Sequence, residues 1–315
     1  MTVEMGPIDA ASYSHDLLLH ANDDELIEGT RAFVEQGLES GGQVIVHSTA
    51  EQVALLRDAL GSHPRLEYGL DCELYQSPST TLFAYERKLA ESTEPVQLWA
   101  TGTVPMGADP AGHPAWSRYE SLVNEVLGSY AFHGLCSYDT QALPASTIAA
   151  AKATHPCIST GLHRAASAEY QHPAAFLTDP LAAVPPPPDR RPTVAATLDD
   201  LLDLRRARDL MRQQAIGSSA LPHETVAGFV TALNEVLTNG LVHGGVPVRL
   251  SAWVEPARLT CLVSDSGTGI SDSLAGYRYP GPDGPQGLWV ARQLCEDLFV
   301  RNLPGGGCQV MMATG

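Results

Sequence analysis

Three polar residues with chemically useful side chains recur at four-residue steps, at Glu235, Asn239 and His243. Because a helix turns by about 100° per residue, this spacing places a carboxylate, an amide and an imidazole along one flank. Apolar residues of the same segment recur at three- and four-residue steps and predict a buried stripe beside that flank. They are Val226, Phe229, Val230, Leu233, Val236 and Leu237. The pattern predicts a helix that can turn three polar groups toward a bound ligand.

The segment Asp265-Ser-Gly-Thr-Gly-Ile270 follows a predicted strand. Its aspartate can accept a hydrogen bond from an exocyclic amine, and its glycines let the backbone approach a ligand closely. Taken alone, these residues are equally typical of an ordinary turn at the end of a strand.

A second glycine-containing segment, with Gly281, Gly284 and Gly287, precedes a predicted helix that starts near Leu288. Free NH groups and the positive end of the helix dipole favour phosphate at such a position. The intervening residues 271–285 are rich in Gly, Pro and Ser, a composition typical of an active-site lid. Arg278 lies in this stretch and is our candidate for neutralising phosphate charge.

The order and spacing of these segments resemble the three ATP-binding boxes of the GHKL superfamily. The matching residues are Glu235, Asn239, His243 and Gly244, then Asp265, Gly267, Gly269 and Ile270, then Gly284, Gly287, Leu288 and Trp289. Within that superfamily, residues 195–315 most resemble the RsbW-like anti-sigma-factor serine kinases. The resemblance implies an α+β sandwich of the Bergerat ATPase type, ATP and Mg²⁺ as cofactors, and a homodimer.

The resemblance also implies roles for individual residues. Asn239 would ligate Mg²⁺ through its hard amide oxygen, and Glu235 would act as the general base. Asp265 would recognise the adenine amino group. The other ATP-binding positions implied are Gly267, Gly269, Ile270, Gly284, Gly287 and Leu288, whereas His243 either contacts phosphate or simply ends its helix. Many relatives have a threonine where this chain has Cys308, and loss of that hydroxyl would weaken ATP binding.

Residues 15–160 alternate between helix and strand patterns. Helices are predicted at 23–38, 49–60, 80–90, 116–127 and 144–153, and strands at 44–46, 96–100 and 130–138. Such alternation favours an α/β domain with a mainly parallel sheet. A P-loop needs a Gly-Lys-Ser/Thr sequence, but the two lysines of the chain, Lys88 and Lys152, follow Arg87 and Ala151.

Residues 12–160 resemble the MEDS domain, a sensory domain of the dichloromethane-repressor type. The resemblance rests on four segments, which are His15-Asp-Leu-Leu-Leu19, Gly41-Gly-Gln-Val-Ile-Val46, Leu135-Cys-Ser-Tyr-Asp-Thr140 and Thr154-His-Pro156. It implies a sensory role and an unidentified small-molecule ligand. Candidate ligand contacts are His15, Cys136, Tyr138, Asp139 and His155. Each of these, taken singly, is more often a packing or capping residue.

Residues 161–194 are predicted to form a linker, because Pro185–Pro188 favours an extended, semi-rigid polyproline conformation. A ligand for an SH3-type domain is the alternative interpretation. Beyond the linker, helices are predicted at 198–215, 224–240 and 286–297. Strands are predicted at 246–254 and 259–264, with a hairpin formed by 299–301 and 309–312.

The composition limits the classes of partner. The formal net charge is −17, and residues 1–160 hold 7 Lys/Arg against 21 Asp/Glu, which argues against direct nucleic-acid binding. The chain has no run of 18 apolar residues and no signal-peptide pattern. The six cysteines form no CxxC pair and are typical of reduced thiols. We therefore expect a cytoplasmic protein with no membrane partner.

The sequence hypothesis is a sensory regulator of a sigma-factor partner-switching pathway. Its kinase domain would use Mg²⁺-ATP to phosphorylate Ser or Thr of an anti-anti-sigma (STAS) protein, bind a sigma factor, or both. The alternative is a non-catalytic ATP-dependent interaction module. A sensor histidine kinase is disfavoured, because His223-Glu224 begins the same predicted helix that carries Glu235. A zinc-binding HExxH motif fails because Ala227 occupies the second histidine position.

Overall fold

The computed structural model describes residues 4–5, 8–9, 12–75, 77–91, 97–106, 113–160, 163–278 and 286–315. The chain forms two compact units, Met1–Ala183 and Val184–Gly315. Their boundary falls inside the segment 161–194 that the sequence analysis treats as a linker. Among the described residues, no helix has both the length and the apolar character that a membrane crossing requires.

The first unit contains one eight-stranded sheet. Its strands are β1 (Glu4–Met5), β2 (Ser14–His20), β3 (Gln43–Ser48), β4 (Leu66–Leu70), β5 (Leu98–Gly102), β6 (Phe132–Asp139), β7 (Cys157–Thr160) and β8 (His163–Ala166). Their order across the sheet is β1-β8-β7-β2-β6-β5-β3-β4. The neighbours among β2 to β7 pair in parallel, whereas β8 pairs antiparallel with β7 and β1. The mainly parallel sheet predicted from the alternating pattern is confirmed.

Seven α-helices of the first unit lie within the described residues. They are α1 (Asp23–Glu39), α2 (Ala50–Leu60), α3 (Asp71–Leu74), α4 (Pro78–Ala90), α5 (His113–Val126), α6 (Ala145–Thr154) and α7 (Pro173–Phe176). Side-chain caps fix where two of them begin. Asn22 Oδ1 accepts a hydrogen bond from the NH of Glu25 at the start of α1, and Thr49 Oγ1 accepts one from Gln52 at the start of α2. These caps satisfy NH groups that have no partner within the helix.

The second unit contains a separate, antiparallel sheet. Its strands are β9 (Val194–Leu198), β10 (Val248–Val254), β11 (Leu259–Ser264), β12 (Asp297–Asn302) and β13 (Cys308–Thr314), in the order β12-β13-β11-β10-β9. The described helices are α8 (Leu201–Ser218), α9 (His223–Asn239) and α10 (Gly287–Gln293). A π-helical turn, Gly240–Gly244, continues α9 beyond Asn239.

One face of the antiparallel sheet packs against the helices. Phe229, Leu233 and Leu237 on α9 are fully buried and belong to the same apolar cluster as Leu250 and Met312 on the sheet. The apolar stripe predicted for residues 226–237 is therefore the core-facing side of α9. The polar flank beside it consequently lies at the border between this core and solvent.

The other face of the antiparallel sheet is partly covered by residues from the predicted linker. Pro185 and Pro187 line a cavity together with Phe299 and Met311 of the sheet. Further along, Trp253 Nε1 donates a hydrogen bond to the carbonyl oxygen of Arg190 at 2.8 Å. Part of the proline-rich segment thus packs within the second unit.

Several predicted boundaries need correction. Leu198 was predicted to start a helix, but it ends β9, and α8 begins at Leu201. The helix predicted at 286–297 stops at Gln293, because Asp297 begins β12. Strands β1, β2, β4, β7, β8 and β9 have no counterpart in the sequence prediction. All but β2 have five residues or fewer, and short runs give a weak periodic signal. The seven-residue strand β2 is buried on both faces, so it lacks the alternation of a half-buried strand.

Candidate functional site

Two groups of polar residues stand out, one in each unit. The first to consider lies on the flank of α9. Glu235 and Asn239 are half-buried, whereas the side chain of His243 is exposed on the π-helical turn. The three residues predicted to share one flank therefore differ in their exposure. The first two face a confined space, and the third faces solvent.

Gly287, the first residue of α10, lies directly opposite these two side chains. A methyl group placed at Gly287 would be 3.1 Å from Glu235 Oε2 and 3.3 Å from Asn239 Nδ2. The structure therefore brings Gly287 together with Glu235 and Asn239, residues nearly fifty positions apart in the chain. The absence of a side chain at Gly287 leaves a small space bounded by a carboxylate and an amide.

A second close approach joins the end of the α9 turn to the segment after β11. A methyl group at Gly267 would be only 1.5 Å from the carbonyl oxygen of Gly244, so only glycine fits there. At Gly244, a methyl group would lie 2.4 Å from Asp265 Cγ. Asp265 Oδ1 accepts hydrogen bonds from the NH groups of Gly267, at 2.9 Å, and Cys308, at 3.1 Å. One oxygen of this carboxylate is thus occupied by backbone donors.

Asn302 at the end of β12 holds the next part of this segment in place. Its Oδ1 accepts a hydrogen bond from the NH of Ile270 at 2.7 Å, and its Nδ2 donates one to the carbonyl oxygen of Ile270 at 2.9 Å. Gly269 has a φ of +88°, a conformation that favours glycine. The sequence analysis did not identify Asn302, because a single asparagine in a predicted hairpin carries no distinguishing pattern.

The remaining predicted ATP-binding residues lie around this region. Leu288 packs against the core cluster, and Arg278 is exposed after the buried Tyr277. Gly284 lies outside the described residues. Cys308 is half-buried, and burial, followed by the charge of Asp265, raises the pKa of its thiol to about 11. We call Glu235, Asn239, Gly244, Asp265, Gly267 and Gly287 the glycine-lined site.

The second group of polar residues lies in the first unit. His15 on β2, Glu120 on α5, Cys136 on β6 and His155 after α6 offer ligand atoms that all lie within 4.8 Å of one another. We call these four residues the buried cluster. His15, Glu120 and His155 are 2%, 0% and 0% exposed, and Cys136 is half-buried. Three of them were sensory candidates in the sequence analysis, and Glu120 was not.

Glu120 is the centre of the buried cluster. Its Oε2 lies 3.1 Å from His15 Nε2, 3.4 Å from Cys136 Sγ and 3.6 Å from His155 Nε2. Its Oε1 accepts a hydrogen bond from the hydroxyl of Tyr138 at 3.2 Å. The sequence analysis missed Glu120, because nothing in its helical segment sets it apart from the glutamates of a solvated helix face. Only its burial in the structure distinguishes it. That α5 carries few exposed positions appears only in the structure.

The environment shifts the pKa values of the buried cluster. Burial alone would raise the pKa of Glu120, but the hydrogen bond to His15 and the proximity of His155 lower it overall. Burial and then the nearby His15 lower the pKa of His155 to about 3. Burial and then the charge of Glu120 raise the pKa of the Cys136 thiol well above its ordinary value. Glu120 is therefore anionic and His155 neutral near pH 7.

Asp139 is placed differently from the other sensory candidates. Its Oδ1 accepts hydrogen bonds from the NH groups of Gln141, at 2.7 Å, and Ala142, at 3.2 Å. These bonds stabilise the turn after β6. Asp139 therefore acts as a turn cap, which is the ordinary structural reading of an aspartate in this position.

Comparison with known proteins informs the first unit. Residues 14–156 match the family model of MEDS, the MEthanogen/methylotroph, DcmR Sensory domain. No curated protein matches the chain. Among solved structures, the histidine kinase domain from Erythrobacter litoralis EL346 blue-light activated histidine kinase aligns with 54% of this chain and 78% of its own length. The identity is 20% and the TM-score is 0.26, so this likeness carries no argument about fold or activity.

Proposed function

We propose that this chain is a sensory regulator whose second unit is a GHKL-type domain that binds Mg²⁺-ATP. In this proposal the domain phosphorylates Ser or Thr of an anti-anti-sigma (STAS) protein, binds a sigma factor, or both. It acts in the cytoplasm as a homodimer, without direct contact to nucleic acid or membrane. A small molecule held by the MEDS domain modulates one of these activities. The observation that carries the proposal is the meeting of Glu235, Asn239 and Gly287 in the glycine-lined site.

The residues of the glycine-lined site fit the proposed cofactors chemically. The amide oxygen of Asn239 is a hard donor of the kind that Mg²⁺ prefers. The space at Gly287, which a methyl group would fill, lies beside both Asn239 and Glu235. With its Oδ1 bonded to backbone NH groups, Asp265 is held in one orientation and offers its second oxygen to an adenine amino group.

In the proposed reaction each polar residue has one task. Bound Mg²⁺-ATP would supply the phosphoryl group and neutralise its charge. Asn239 holds the cation, and Glu235 accepts the proton of the attacking hydroxyl. His243, being exposed, contributes no more than a peripheral contact.

A non-catalytic ATP-binding module is a second candidate, and Cys308 favours it. This residue stands where many GHKL relatives have a threonine, and its raised pKa keeps the thiol neutral beside Asp265. A thiol is a weaker hydrogen-bond donor than a hydroxyl. In this alternative, ATP is held as a conformational ligand and no phosphoryl group is transferred.

Phosphoryl transfer and ATP binding can be tested separately. The full chain is incubated with γ-labelled ATP, Mg²⁺ and a candidate STAS protein, and ATP binding is measured by calorimetry. We expect acid-stable label on the STAS protein. Glu235→Gln should retain ATP binding and lose transfer, whereas Asn239→Ala should lose both. Asn234→Ala is the matched control, because Asn234 is on the same helix but its Oδ1 faces Arg208 at 3.5 Å.

Each other outcome leads to a different conclusion. ATP binding without transfer would establish the interaction module, and acid-labile self-labelling would indicate a histidine kinase. An absence of Mg²⁺-dependent ATP binding would refute the proposal as a whole.

A further inference from the structure

Four of the six distances between ligand atoms of the buried cluster are close to those of a tetrahedral metal site, and all six are within 4.8 Å. Zinc lies about 2.0–2.1 Å from histidine nitrogen and about 2.3 Å from cysteine sulfur, so tetrahedral ligand atoms are roughly 3.3–3.6 Å apart. Here Glu120 Oε2 lies 3.1, 3.4 and 3.6 Å from the atoms of His15, Cys136 and His155. His15 Nε2 and Cys136 Sγ are also 3.4 Å apart. Only small shifts would complete a coordination shell.

Hydrogen bonds outside the cluster orient the ring of His15. The amide nitrogen of Asn124 donates to the backbone carbonyl oxygens of Ser121, at 3.1 Å, and Thr154, at 2.8 Å. Its oxygen Oδ1 must therefore be the atom that faces His15 Nδ1 at 3.2 Å. Because an amide oxygen is only an acceptor, Nδ1 carries a proton. In the neutral ring, Nε2 then directs a lone pair into the cluster.

His155 shows the same arrangement. Its Nδ1 lies 2.7 Å from the carbonyl oxygen of Ala151 and therefore carries the proton. Its Nε2 is fully buried and finds no hydrogen-bond partner within the described residues. Buried polar atoms almost always have a partner, so this nitrogen indicates that something else occupies the position beside it. Histidines that bind metals usually donate their second ring NH to such a carbonyl or carboxylate.

The charges also favour a dication. When His15 is neutral, two ring-nitrogen lone pairs and an anionic carboxylate face one another, with the Cys136 thiol as the remaining hydrogen-bond donor. A protonated His15 paired with Glu120 would relieve part of this repulsion, yet it would leave His155 Nε2 without a partner. A divalent cation bound by Glu120 and a Cys136 thiolate gives a site with no net charge. Neutral groups are far less costly to bury than isolated ions.

We propose that the first unit binds one divalent transition-metal ion, with zinc as the preferred metal, through His15 Nε2, Glu120 Oε2, Cys136 Sγ and His155 Nε2. Nitrogen and thiolate ligands select this class over magnesium or calcium. Tyr138, by bonding the other oxygen of Glu120, keeps that carboxylate turned toward the metal. This inference does not depend on ATP binding by the second unit.

Metal binding requires protons to leave the cluster. The Cys136 thiol gives its proton to solvent as the sulfur–metal bond forms, and His15 releases to solvent any proton held on Nε2, whereas His155 and Glu120 bind in the states they already hold. No oxidant or reductant is involved. The metal thereby replaces the thiol proton in the centre of the buried cluster.

The test uses the full chain in two forms. One sample is purified from cells grown with zinc and analysed for metal by mass spectrometry. A second is stripped with a chelator in denaturant and refolded with one equivalent of Co²⁺. We expect about one zinc per chain in the first sample. In the second we expect the absorption of tetrahedral Co²⁺, together with a sulfur-to-cobalt charge-transfer band.

Variants identify the ligands. Cys136→Ser should abolish the charge-transfer band, and Glu120→Gln and His155→Gln should weaken zinc binding by more than the 10–100-fold typical of losing an outer hydrogen bond. Cys157→Ser is the matched control, because Cys157 is a buried thiol on β7 of the same sheet but is not a member of the cluster. It should bind zinc like the parent chain. Near-ultraviolet circular dichroism establishes that each variant is folded.

Two results would overturn the proposal. One is a correctly folded parent chain that takes up neither zinc nor cobalt above the level of a cobalt-treated control protein. The other is binding that persists unchanged in folded Cys136→Ser and His155→Gln, which would place the metal elsewhere. If Cys136→Ser fails to fold, His155→Gln and Glu120→Gln decide between these outcomes by zinc affinity alone.

Discussion

In the first unit, the buried cluster is made of side chains from four separate elements, whereas in the second unit the glycine-lined site is made largely of backbone. Glu120 and the two histidines each make at least one hydrogen bond and have almost no contact with solvent. Around Asp265, by contrast, the shape is set by the close approach of Gly244 and Gly267. Both regions place a carboxylate near amide or imidazole groups.

The two regions therefore suit ligands of different size. A compact set of buried donors matches a single small ion, because nothing larger can fit among atoms 3–4 Å apart. A partly exposed site lined by glycine backbone suits a larger ligand, whose own atoms fill and cover part of the site. The stability of the first unit should therefore fall when a charge of the buried cluster is removed. The stability of the second unit should fall when a side chain is added to the glycine-lined site.

The largest expected effect is on the stability of the first unit when its central charge is removed. Glu120→Ala should lower the free energy of unfolding by about 3–5 kcal/mol, because it leaves the Tyr138 hydroxyl and the Cys136 thiol without their buried acceptor. Glu125→Ala, on the same helix, should cost less than about 1 kcal/mol. Denaturant unfolding followed by circular dichroism measures both. Equal costs for the two variants would contradict the central role of Glu120.

The second effect concerns added bulk in the second unit. Gly267→Ala should cost about 3 kcal/mol or more, because its methyl group would overlap the carbonyl of Gly244 and the backbone must move. Gly305→Ala is the control, because no atom lies within 4 Å of the added methyl group. The melting transition of the second unit should fall only in Gly267→Ala. A shift of the same size in both variants would break the proposed contrast.

The third effect is on the reactivity of Cys308. Because its pKa is about 11, only about one thiol in a thousand is ionised at pH 8, and alkylation should accelerate roughly tenfold per pH unit up to pH 10. The rate is followed by mass spectrometry in a Cys72→Ser chain, which lacks the exposed thiol. Mg²⁺-ATP should slow the reaction if the nucleotide lies beside Asp265. A rate independent of pH would show that access rather than ionisation limits the reaction.

The smallest effect expected is on nucleotide affinity. Gly287→Ala puts a methyl group 3.1–3.4 Å from polar atoms of Glu235 and Asn239, which can move slightly, so the fold should survive. We expect ATP affinity to fall about tenfold, or about 1.4 kcal/mol, because the space between these residues is filled. Gly228→Ala on α9 makes only ordinary contacts at 3.6 Å or more and should bind ATP normally. Calorimetry measures the ATP affinity of both variants. Equal affinities would remove the assignment of this space to a ligand.

Much of the fold could be read from local patterns. Asn22 and Thr49 cap α1 and α2, and the stripe containing Phe229 and Leu233 faces the core. Local patterns failed where an element is short or where its status depends on a neighbour. Strand β9, for example, exists because Val194–Leu198 pairs with β10, and nothing within those five residues requires it.

The two sites differ in how far they could be predicted. Spacing alone placed Glu235 and Asn239 on one side of a helix. The glycines near Asp265 were predicted only to let the backbone approach a ligand, and the contact of Gly267 with Gly244 came from the structure. The buried cluster could only be suspected residue by residue, as His15, Cys136 and His155. Glu120 and Asn124 carry no sequence signal beyond a four-residue spacing on a helix, although together they determine how the cluster is built.

Most of the longer elements were predictable from the sequence, because helix periodicity, capping and glycine conformation depend on residues a few positions apart. Which elements meet is set by tertiary packing. Strand β2 lies between β6 and β7 in the sheet, and this order brings His15, Cys136 and His155 onto Glu120. Strand order follows from burying the apolar faces of the whole unit at once, and that is a property of no single segment.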